Sequence, residues 1–89
     1  MTKSCAQRKQ DYLDYLQWAN GVVRRSQIPF WENPTALALA DNLQGMANDI
    51  LSHCGVMPLV REDPETGDAY VARWTTDAEE QVRMELPLF

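Results

Sequence analysis

The chain is poor in the residues from which catalytic and metal sites are usually built. Its 89 residues hold one histidine, two cysteines and four glycines. Gly21, Gly45, Gly55 and Gly67 are all isolated, so there is no Gly-rich loop to cradle a phosphate. Cys5 and Cys54 lie far apart, and the C-x₂-C spacing of zinc sites is absent. His53 and Cys54 are adjacent in a helical pattern, so they point about 100° apart and do not converge on one ion. No metal and no cofactor are expected. Nucleophilic catalysis needs a Ser or Cys, a base and an orienting group in one cleft. With Cys54 expected to face the core and His53 its edge, no enzyme is expected. No apolar run approaches the roughly 18 residues of a membrane span. The opening residues, with Arg8, Lys9 and Asp11 close behind them, contain no signal-peptide core. A cytoplasmic protein with reduced thiols is the resulting expectation, with no membrane partner.

What is present suits one small folded domain covering 1–89. Hydrophobic residues make up 45% and charged residues 24%, which argues against wholesale disorder. The net charge is −5, unevenly spread. Residues 1–25 carry Lys3, Arg8, Lys9, Arg24 and Arg25 against Asp11 and Asp14, while the remainder has three arginines against eleven carboxylates. The two parts can attract each other, or simply form solvated faces. Overall acidity argues against nucleic acid as the main partner, because phosphate contacts need a net basic footprint.

Periodicity divides the chain into α-α-β-β-α. Ser4 with Gln7 forms a capping box. Tyr12, Tyr15, Leu16, Ala19, Val22 and Val23 then recur at helical spacing, flanked by Leu13 and Trp18, which predicts a helix over about 5–25. Gly21 falls on its polar side, where it can admit a close neighbour. Asn33-Pro34 is an N-cap followed by proline at the first helical position, opening a second helix over roughly 34–54. Its seam is Ala36, Ala40, Leu43, Ala47, Ile50 and Cys54, flanked by Leu39, Met46 and Leu51. Gly55 ends it. Small residues on that seam predict a closely packed antiparallel hairpin of helices. Val56–Glu62 and Tyr70–Trp74 read as strands around the turn 63–68, with Gly67 at positive φ. Two strands alone are marginal, so the ribbon is expected to lean on the helices through Tyr70 and Trp74. Thr76 opens a short third helix to about Glu85, stopped by Pro87. The fold class is therefore α+β, a helical hairpin packed with a β-hairpin and a short C-terminal helix.

Candidate binding residues lie outside these repeats. Phe30 and Trp31 stand between Pro29 and Pro34, and large aromatics in a rigid loop dominate interface energetics. The alternative is a plug closing the end of the helical hairpin. Trp18 can extend the patch. Glu62, Asp63, Glu65 and Asp68 cluster at the turn, where a solvated tip explains them more simply than an ion loop or phosphate mimicry. Tyr12, Tyr15 and Trp18 beside Arg8, Lys9 and Arg25 could stack bases, which makes a nucleic-acid module using the basic first helix a rival reading.

The last five residues, Glu85-Leu86-Pro87-Leu88-Phe89, resemble the short peptide by which bacterial polymerases and repair proteins hold the DNA sliding clamp. That motif reads Gln-Leu-(Ser/Asp)-Leu-Phe. Leu86, Leu88 and Phe89 fall on its pocket-filling positions, Pro87 takes the variable one, and Glu85 replaces the expected Gln. The resemblance spans five residues and implies a clamp-binding adaptor. The alternative is that Leu88 and Phe89 fold back onto the core. In kind, a small acidic tryptophan-bearing chain without catalytic motifs is similar to phage and mobile-element accessory proteins that inhibit or redirect host machinery. The expected function is non-enzymatic binding of a protein partner, such as a host replication or repair component, through Phe30, Trp31 and Trp18 or through Leu86, Leu88 and Phe89.

Overall fold

A computed structural model describes residues 3–77. They form helix α1 (Cys5–Ser26), a single 3₁₀ turn (Phe30–Glu32), helix α2 (Pro34–Cys54) and strands β1 (Met57–Glu62) and β2 (Ala69–Thr75). The arrangement is α+β. The third helix expected beyond Thr76 and the tail Leu86–Phe89 lie outside the described residues.

Both helices start at the caps read from the sequence. Ser4 Oγ accepts from Gln7 N–H at 3.1 Å. The Gln7 side chain does not complete the box; it donates to Asp11 instead. Asn33 Oδ1 accepts from Thr35 and Ala36 N–H at 3.1 and 3.3 Å. Caps of this kind contribute about 1 kcal/mol each. At the far end of α2, Gly55 adopts φ 73° and donates to the Leu51 carbonyl. α1 ends on a residue that gave no such signal: Gln27 takes the left-handed conformation at φ 57°.

The core is the expected helix–helix seam. Tyr12, Leu16, Ala19 and Val23 of α1 meet Ala36, Leu39, Leu43, Ala47 and Ile50 of α2, with Met57 and Ala69 added by the ribbon. Ala19, Ala36 and Ala47 have no exposed surface, so small side chains are what allow the axes to approach. Ala40 and Cys54, expected on the seam, are only partly buried, and Leu39 is fully inside. Gly21 does admit a neighbour: a β-carbon there would lie 3.2 Å from Nη1 of Arg25.

β1 and β2 pair antiparallel, with Met57 opposite Thr75 and Glu62 opposite Ala69. A bulge falls between Leu59 and Val60, leaving Ala72 without an opposite residue. The connection closes with Asp63 N–H on the Asp68 carbonyl and Gly67 N–H on the Asp63 carbonyl, with Gly67 at φ 77°. Positive φ at this position was expected.

The ribbon docks differently from the expectation. Trp74 does face α1: its ring meets Tyr12 edge-on at 6.2 Å, and Lys9 Nζ sits 5.0 Å over it. Tyr70 does not; it stands opposite Arg61 and is 46% exposed. Ala69, its neighbour on the other face, takes the inward place. Asn20 reaches Ala69 from α1, its Nδ2 donating to the carbonyl at 3.1 Å in a buried setting. Among the described residues its Oδ1 has no hydrogen-bond partner, a cost on the order of 1–3 kcal/mol. This buried polar anchor was missed because a lone asparagine on an apolar stripe reads as an interruption.

The thiol expectation is also corrected. Cys5 and Cys54 form a disulfide, with Cα atoms 5.8 Å apart. The antiparallel hairpin brings the first residue of α1 beside the last of α2, which separation in sequence concealed. Neither cysteine is free.

Candidate partner-binding surface

Ser26 and Asn33 fix the loop between the helices. Ser26 Oγ donates to the Val23 carbonyl at 2.6 Å and accepts from Asn33 Nδ2 at 2.9 Å. Asn33 is buried, so one side chain both caps α2 and ties it to the end of α1. Between these anchors, Glu32 N–H donates to the Pro29 carbonyl and Asn33 N–H to the Phe30 carbonyl, closing the 3₁₀ turn.

This turn splits the aromatic pair. Phe30 is half-buried and packs on the core, as a plug would. Trp31 points out and is 64% exposed, the largest fraction among the exposed large apolar side chains of the described residues. Ile28 and Leu37 are exposed within six residues on either side of it. Three large apolar side chains are therefore exposed in and beside the loop that joins the helices. Ile28 and Leu37 were not singled out from sequence. Leu37 could have been, since it falls off the α2 seam and a leucine there has no core to fill.

Trp18 is exposed too, but belongs to a different stretch of α1. Its ring lies 5.6 Å from that of Tyr15, whose hydroxyl accepts from Asn42 Nδ2 at 3.0 Å. It sits eight residues before the helix end, about 12 Å along the axis. Leu86, Leu88 and Phe89 lie outside the described residues.

The opposite end of the hairpin carries the charge. Lys3 pairs with Asp11 at 2.8 Å, and Arg8 bonds Asp49 across the helices. The Lys3 ammonium, helped by the Gln7 amide, holds the Asp11 carboxyl below the usual range. His53 Nδ1 lies 2.9 Å from the Asp49 carbonyl and 3.3 Å from its carboxylate. Lys3, Arg8, Asp11, Met46, Asp49 and Ile50 enclose a shallow hollow of about 160 Å³. Its ionic groups largely neutralise one another, and with Cys54 in the disulfide His53 has no thiol to activate.

The acidic turn is engaged with itself and with α1. Asp63 Oδ1 accepts from the Glu65 and Thr66 amides, and Asp68 pairs with Arg24 at 3.1 Å. Arg24 also donates to the Thr66 carbonyl. Among the described residues, no group of three or more His, Cys, Asp or Glu side chains could hold a metal ion. Among the same residues, no helix is long and apolar enough to cross a membrane.

The chain matches no protein-family model, and no curated protein or solved structure is similar to it.

Proposed function

We propose that this chain is a non-enzymatic binding protein whose partner is another protein, and that Trp31 is the anchor of the interface. The observation that carries the reading is the posture of Trp31. A tryptophan that is 64% exposed leaves a large apolar area in water, and its backbone is already fixed by the 3₁₀ turn and the Ser26–Asn33 link. Ordering it on binding therefore costs little entropy. Ile28 and Leu37, three and six residues away in sequence, add exposed apolar surface. Trp18 and Tyr15 form a separate aromatic patch along α1.

The basic first helix supports the nucleic-acid reading less well. Lys3, Arg8 and Arg24 are paired with Asp11, Asp49 and Asp68, and Lys9 lies over Trp74. Three cations in and beside the helix are thus paired with carboxylates, which weakens its pull on phosphate, while Arg25 has no acidic partner among the described residues. A finer proposal is an accessory protein that redirects host DNA-processing machinery. It rests on likeness in kind alone, a small chain with a net charge of −5 and three tryptophans; the clamp-like residues 85–89 carry the separate reading of a clamp-binding adaptor. A cytoplasmic location belongs to this reading only if cellular thiols can open the disulfide, because cytosolic disulfides are transient.

The test is capture from a bacterial lysate, followed by titration of the purified partner. Trp31→Ala should weaken binding by at least about 2 kcal/mol while the fold stays intact. Affinity that collapses with added salt would favour the nucleic-acid reading. Binding lost only on removal of residues 86–89 would move the site to the tail.

A further inference from the structure

The two sulfurs of the disulfide have unlike surroundings. Cys5 is the first residue of α1 and is exposed; Cys54 is the last of α2, half-buried and packed against the core. A thiolate attacks a disulfide through a mixed-disulfide intermediate, and which sulfur it can reach governs the outcome. It approaches along the S–S axis, from the side away from the sulfur that leaves. Cys5 lies among exposed residues at the start of α1, so a thiolate from solution can reach its sulfur. Cys54 is half-buried and packs against the core, so its sulfur is the less accessible of the two. On its α1 side the bridge lies seven residues before Tyr12, the first buried core residue of that helix. The first turn of α1 can therefore move without opening that core.

We propose that the Cys5–Cys54 bridge is a thiol-exchange site, in which a small thiol of the glutathione class becomes bonded to Cys5 and Cys54 is the resolving cysteine. In the forward step the thiolate sulfur bonds to Cys5 Sγ. The Cys5–Cys54 bond breaks, and its electron pair leaves on the Cys54 sulfur, which takes up a proton. In the reverse step the Cys54 thiolate attacks Cys5 Sγ, expels the small thiolate and restores the bridge. Each step exchanges one disulfide for another, so no further oxidant or reductant is required. Cys5 is thereby a modification site.

The full chain, oxidised, is incubated in a buffer of reduced and oxidised glutathione, quenched with acid, digested and mapped by mass spectrometry. Circular dichroism follows the fold in parallel. The adduct on Cys5 should exceed that on Cys54 by about tenfold or more. Equal adducts, a Cys54 adduct in excess, exchange that begins only when the helices melt, or oxidised protein without the bridge would each overturn the proposal. Single variants give a second reading where both remain folded. Cys54→Ser should take the adduct on Cys5 at least about tenfold faster than Cys5→Ser takes it on Cys54. Equal rates would contradict the asymmetry.

Discussion

Removing the disulfide is the perturbation whose size the structure fixes most directly. Cys5 and Cys54 are separated by 49 residues, so their bond closes a loop containing both helices and the turn between them. In the chain-entropy account, closing about 50 residues stabilises the folded state by about 4 kcal/mol at 25 °C. A domain of this length has a total stability of only about 4–13 kcal/mol at roughly 0.05–0.15 kcal/mol per residue. The bond is thus a large fraction of the whole. The seam from Tyr12 to Ile50 is complete without it, so the reduced chain should still fold, with a lower margin. The assay is urea unfolding followed by circular dichroism on the oxidised protein and on the Cys5→Ser/Cys54→Ser double variant. The expected result is a lower midpoint and a free-energy loss of about 2–4 kcal/mol, within the range typical of disulfides. A difference below about 0.5 kcal/mol would show that the helix ends are not held together, and would refute the antiparallel closure of the hairpin at this end.

Ala47→Leu should cost about 1–3 kcal/mol by overpacking a position with no exposed surface; an unchanged unfolding midpoint would mean that the seam does not face α1. Gly67→Val should cost more than about 1 kcal/mol, because a β-branched residue resists the φ of 77° found there; this is read in the same unfolding assay, and a neutral effect would contradict the turn. Burial raises the Tyr12 hydroxyl above its ordinary value near 10. Folding therefore favours the neutral phenol: its contribution is complete below about pH 10 and is lost as pH rises further. Tyr12→Phe should flatten the alkaline limb of the stability profile, and an unchanged limb would put the hydroxyl in water.

The helices were legible because each level of signal agreed. Caps at Ser4 and Asn33, proline at position 34, glycine at 55 and an alanine-rich apolar period all point to the same two segments. The hairpin turn was legible through Gly67. What escaped were contacts between residues far apart in sequence. The Cys5–Cys54 bond, the Asn20–Ala69 anchor and the inward place of Ala69 instead of Tyr70 all depend on how the helices cross and how the ribbon lies on them. Local periodicity does not encode those relations. The aromatic loop was half legible: two prolines marked Phe30 and Trp31 as constrained, but only the 3₁₀ turn decides that one packs inward and the other points out. Ile28 carries no message from sequence, because a single apolar residue outside a period has none until its neighbours in space are known, whereas the place of Leu37 off the α2 seam was a usable signal.

The central claim is that Trp31 anchors a protein partner. The most direct measurement is calorimetric titration of the purified partner with the wild-type chain and with Trp31→Ala, each first shown to unfold at the same urea concentration. The account predicts a dissociation constant raised by about thirtyfold or more, equivalent to about 2 kcal/mol, with stability unchanged because the side chain is largely in water. Equal affinity of the two proteins would contradict it, as would a loss of stability of about 3 kcal/mol or more, which would make Trp31 part of the core.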